Sequence, residues 1–172
     1  MDTPGSLQTI AEIGVAFAGF SGLIVALRKS AGPLTEVQKY RLQVLLSLAF
    51  GAMFLSFVPE LLYDFGASPA EIWVLSSIVL SIYSVLFLAW WLTASLRIKT
   101  TVPEIFNWFA LSRMAIGHVV VVLLQLGVVF SLLEQSSAGA YSAALIWYLI
   151  HAAQQFTRML FVQPKGTLQQ NE

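Results

Sequence analysis

Between Glu71 and Arg97 the chain runs through IWVLSSIVLSIYSVLFLAWWLTASL without one Asp, Glu, Lys or Arg. A helix needs about twenty apolar residues to cross the hydrocarbon core of a bilayer, and a charge near its centre costs about 2.5 kcal/mol or more. Residues Ile72 to Leu96 are mostly apolar around their whole circumference, whereas a helix of a soluble bundle keeps a polar face. That stretch commits the chain to lipid. Composition agrees, with 58% apolar and 10% charged residues among 172, against about a quarter charged in ordinary soluble domains.

Read from one charge to the next, four further intervals resemble this one. Arg41 to Glu60 encloses LQVLLSLAFGAMFLSFVP, with Pro59 near the end of the run, where its missing N–H is best tolerated. Arg113 to Glu134 encloses MAIGHVVVVLLQLGVVFSLL, and Glu134 to Arg158 a segment centred on YSAALIWYLIHAAQQF. The first interval carries Glu12 in its outer third. The expectation is an all-α integral membrane protein, one domain of five transmembrane helices at 7–28, 41–62, 71–96, 110–134 and 139–161, with 162–172 a short cytoplasmic tail. Basic residues support alternation: Arg28, Lys29, Lys39 and Arg41 flank the first loop, Arg97, Lys99 and Arg113 the third, and Arg158 and Lys165 the C-terminal end. Asp2, Glu60, Asp64, Glu71 and Glu134 occupy the intervening segments. The positive-inside rule then places the N-terminus outside and the C-terminus in the cytoplasm, in the cytoplasmic (inner) membrane of a bacterium. No basic residue precedes Arg28, so the first helix is read as retained rather than cleaved. Thr101-Val102-Pro103-Glu104 has the form of a capping box, and with IFNWF behind it predicts either an interfacial turn or the start of a long fourth helix.

Nine Lys and Arg balance nine Asp and Glu, which leaves no excess charge for a nucleic acid. Without Cys there is no disulfide, thiol nucleophile or thiolate metal ligand. Neither a G-x-S-x-G elbow nor a glycine-rich phosphate loop occurs in a fitting context, so an enzyme is disfavoured and no cofactor is expected.

Two groups of residues stand out within the helices. Gly14, Ala18, Gly22 and Ala26 recur every four residues, a small-residue stripe that favours close helix contact. Ser47 with Gly51 and Ser77 with Ser81 are candidate facing pairs. The other group is polar: His118 and Gln125 on helix four, and His151, Gln154, Gln155 and Arg158 on helix five. With those helices antiparallel, His118 is expected at the depth of Gln155, and Gln125 near Tyr148 and His151. Glu12, Glu60 and Glu134 would gather at the outer mouth. Together these predict a homo-oligomeric ion channel whose central polar pathway is lined mainly by helix five, with Ile146, Leu149 and Ile150 as an apolar constriction and an inorganic ion as cargo. The alternatives are a non-catalytic membrane scaffold or accessory subunit, in which the polar residues serve packing, and a haem protein using His118 and His151 as axial ligands.

Overall fold

The computed structural model describes residues 5–28, 33–103 and 107–161. They form α1 (Gly5–Arg28), α2 (Glu36–Asp64), α3 (Pro69–Thr101), α4 (Trp108–Val129) and α5 (Ser137–Phe161), with a 3₁₀ turn at Glu134–Ser136 leading into α5. Local chemistry sets three of the starts. Thr35 and Gln38 cap α2 reciprocally, and Ser68 and Glu71 do the same for α3, with Pro69 in the opening turn where no N–H is needed. The Asn107 side chain accepts from the amides of Phe109 and Ala110. Thr101 is thus no cap for the fourth helix. It is the last residue of α3, and its hydroxyl donates to the Arg97 carbonyl. Glu104 and Phe106 lie outside the described residues, as do Asp2, Lys29, Lys165 and the expected tail at 162–172.

Four of these helices, not five, are long and apolar enough to cross a membrane: Gly5–Ala26, Glu36–Asp64, Pro69–Thr101 and Trp108–Val129. The expectation of five crossings is corrected accordingly, and the assignment of opposite sides to the two termini, which needed an odd number, falls with it. The cause is the makeup of α5. Counting only formal charges passed over His151, Gln154 and Gln155, whose polarity cuts the apolar run of α5 short. The helix hides its polar side against the rest of the bundle, packing on α1, α2, α3 and α4.

Consecutive helices run antiparallel. Tyr40 near the start of α2 meets Ser95 near the end of α3 at 2.7 Å, and further along Tyr83 of α3 donates to the Ser47 carbonyl of α2. Val44, Leu48 and Ala52 of α2 pack in one core with Ala144, Leu145, Tyr148 and Ala152 of α5, all fully buried, while Leu45 and Ala49 join Met159 of α5 in a second cluster. Valines and leucines on the outer sides of α3 and α4, such as Val85, Leu86, Val120 and Leu123, are exposed, as lipid-facing positions should be.

Pro59 lies within α2 and is buried. It cannot donate to the Leu55 carbonyl one turn earlier, and Tyr141 of α5 supplies that bond instead, its hydroxyl 2.7 Å from Leu55 O. A deficit in one helix is thereby made good by its neighbour, as membrane interiors require.

The α1 stripe divides. At Gly14 an added Cβ would stand 2.7 Å from the Ala49 carbonyl, so glycine is what lets α1 and α2 touch backbone to backbone. Ala18 is half-buried, but Gly22 and Ala26 are exposed. The reason is geometric: steps of four residues drift about 40° each around a helix of 3.6 residues per turn. The buried face instead follows Leu7, Ile10, Ala11, Gly14 and Ser21.

Candidate functional site

The polar residues of α4 and α5 meet inside the bundle. His118 Nε2 is 3.0 Å from His151 Nδ1, and the Nε2 of Gln155, one turn along α5, is 3.2 Å from His151 Nε2. All three side chains are buried. Aromatic rings enclose the pair. Phe87 and Trp91 of α3 lie 5.1 and 6.1 Å from the His118 ring, Tyr148 of α5 lies 5.6 Å away, and Trp147 meets it edge-on at 6.3 Å. Trp147 reaches this place because position 117 is glycine. A Cβ there would fall inside the van der Waals surface of the indole.

A second node lies nearer the other end of α4. The Ser77 hydroxyl donates to Gln125 Oε1 at 3.0 Å, and Gln125 Nε2 donates to the Ala140 carbonyl at 3.1 Å, tying α3, α4 and α5 together. Between the nodes the Ser84 hydroxyl donates to the Leu80 carbonyl and also bonds Tyr148. The expected depths were therefore displaced. His118 lies beside His151 rather than only Gln155, and Gln125 beside Ala140 rather than Tyr148. Residue counting along two parallel cylinders does not capture how crossing helices tilt.

Gln154 is half-buried with its Oε1 shielded. Arg158 is half-buried, and its carbonyl accepts from Arg41 Nη1 at 3.0 Å. Arg41, read as a loop charge from the sequence, is in fact buried and places a cation on the last turn of α5, where the helix dipole favours it. Ile146 and Ile150 are exposed, while Leu149 is buried in the core. Ser47 and Gly51 receive Tyr83 of α3, not α1, since an added Cβ at Gly51 would meet that tyrosine's ring.

Glu12 and Glu60 line one groove of about 590 Å³ between the first turns of α1 and the last turns of α2, floored by Leu7, Ala11 and Phe57. Glu12 accepts from Gln8 at 2.9 Å, on an exposed helix surface. Glu134 lies in the 3₁₀ turn, also exposed, and takes no part in the groove.

Iron does not fit between the histidines. Two metal–imidazole bonds of about 2 Å require roughly 4 Å between ligating nitrogens placed on opposite sides of a metal, but the facing nitrogens are in hydrogen-bond contact. Among the described residues no group of three or more His, Cys, Asp or Glu is arranged to hold a metal ion. The arrangement does hold helices together: the two buried polar side chains of α4, His118 and Gln125, each bond a neighbouring helix.

Sequence reasoning singled out His118, Gln125, His151 and Gln155 because each interrupts an apolar helix. It passed over Gly117, Trp91, Ser84 and Tyr141, which complete the same core. Only Gly117 had a visible signal, as a glycine next to a histidine in an apolar helix. In comparisons with known proteins, no family model, no curated protein and no solved structure matches the chain.

Proposed function

We propose that this membrane-embedded helical protein is a non-catalytic scaffold or accessory subunit. The observation that carries the reading is where its polar side chains are spent. His118, Gln125 and His151 bond between helices of one chain, and Gln155 braces His151 from one turn along α5, all in buried positions that a second copy does not reach. Such bonds specify register in a medium where helices lack a hydrophobic reason to associate. A conducting homo-oligomer draws less support, because its pathway would have to be lined by the residues that are consumed in this packing. The outward side of α1, with Gly19, Gly22 and Ala26 exposed, is the surface on which a scaffold of this kind would seat a partner's transmembrane helix.

Reconstitution into proteoliposomes under salt and pH gradients tests the reading. The wild-type protein is expected to show no flux above empty vesicles, while His151→Ala and Gln155→Ala lower the unfolding midpoint. An ion-selective flux that His151→Ala abolishes at equal folded abundance would refute it.

A further inference from the structure

The hydrogen bonds of the α4–α5 core have a direction. Gln155 presents its amide nitrogen to His151 Nε2 at 3.2 Å. An amide nitrogen only donates, so His151 Nε2 accepts and that ring carries its hydrogen on Nδ1. Nδ1 then donates to His118 Nε2 at 3.0 Å, and His118, accepting there, carries its own hydrogen on Nδ1. This last N–H belongs to a fully buried ring and has no partner among the described residues. Trp147 Nε1, which can only donate, is buried without a partner on the indole that meets His118 edge-on. The hydrogen-bond chain thus ends on an unpaired donor, and a neighbouring indole carries another. Buried polar groups left in that condition are rare, and ordered water is their usual partner.

The geometry points to a buried water site at His118 Nδ1, with the water oxygen accepting the hydrogen that ends the Gln155–His151–His118 chain. The acceptor must be small, because Phe87, Trp91, Trp147 and Tyr148 close around the His118 ring at centroid distances between 5.1 and 6.3 Å. It is uncharged, since the N–H groups repel a cation and the aromatic enclosure leaves an anion poorly solvated. A water's own hydrogens need acceptors. Gln154 Oε1, shielded and without a partner, is an acceptor on the α5 face shared by Trp147 and His151. The site does not depend on the scaffold reading, because it follows from the bond directions alone.

Solid-state NMR of the full chain in phospholipid bilayers, with ¹⁵N-labelled histidine, reads these directions. Both rings are expected in the Nδ1–H form, and magnetisation from water should transfer to the His118 Nδ1 proton. His118 found with its hydrogen on Nε2 would mean the chain runs the other way and would overturn the proposal. So would an Nδ1–H with no transfer from water. In Gln155→Met the donor that orients the chain is gone, and His151 is expected to populate both tautomers. A single unchanged tautomer in that variant would refute the role given to the amide, and the wild-type spectra decide the water site without it.

Discussion

Tyr141→Phe removes one oxygen and leaves the ring in place against Trp73, whose centroid is 6.0 Å away. The Leu55 carbonyl then has no donor, because the residue one turn along is Pro59. A net hydrogen bond is worth about 0.5–1.5 kcal/mol, and an acceptor orphaned in the interior costs about 1–3. Side-chain bonds in membrane proteins average nearer 0.6 kcal/mol because the released groups often find other partners. Leu55 O has already been denied its helical one, so a loss of about 1.5–2 kcal/mol is expected, at the upper end of the membrane range. The control is built into the sequence. In a Pro59→Ala background the amide of residue 59 is restored to the Leu55 carbonyl, and the same Tyr141→Phe change should cost only about 0.5 kcal/mol. The coupling, about 1–1.5 kcal/mol, is measured by a double-mutant cycle of four proteins unfolded in mixed micelles by a denaturing detergent and followed by helical circular dichroism. Equal costs of Tyr141→Phe in the two backgrounds would show that the tyrosine does not stand in for the missing amide, and the account of how α2 accommodates Pro59 would be wrong.

Gly117→Ala should destabilise by about 1–2 kcal/mol despite alanine's better helix propensity, because the indole of Trp147 must leave α4 and overpacking outweighs the gain. A thermal scan in detergent checks it, and a Trp147→Leu partner change should recover most of the loss. On α1, Gly14→Ala forces a Cβ against the backbone oxygen of Ala49 and should lower the melting temperature, whereas Gly22→Ala meets nothing and should leave it level or slightly raised. Equal effects at the two positions would refute the rotation assigned to α1.

Residence in lipid was legible because the cost of a charge in hydrocarbon applies to each segment by itself, and the run from Ile72 to Leu96 needs no neighbour to be interpreted. The number of crossings was less legible for the complementary reason. Charge spacing treats glutamine and histidine as silent, yet they decide whether α5 resembles its four companions. Polar residues on α4 and α5 could be noticed one at a time, but their pairing depends on helix tilt and rotation, which no spacing within one helix encodes. The same limit explains Arg41: its position in sequence looks like a loop flank, and only the end of α5 arriving beside it makes it a buried cap. The small-residue stripe divides for a related reason, since an i+4 repeat extended over three steps leaves the face on which it began.

The 33 residues of α3 have a consequence for the lipid around the bundle. Glu71 and Arg97, the charges that bound its apolar run, are about 39 Å apart along a straight helix, while the hydrocarbon they must clear is about 30 Å thick. A helix of that length spans with some tilt or thickens the bilayer beside it. Trp108–Val129 of α4, at 22 residues, asks for neither. Lipids touching two adjacent edges of this small protein are therefore under different stretching demands. A membrane of uniform thickness cannot satisfy both edges at once, so bilayer thickness becomes a variable that acts on the angle between α3 and α4, the two helices whose contact holds Ser77 to Gln125.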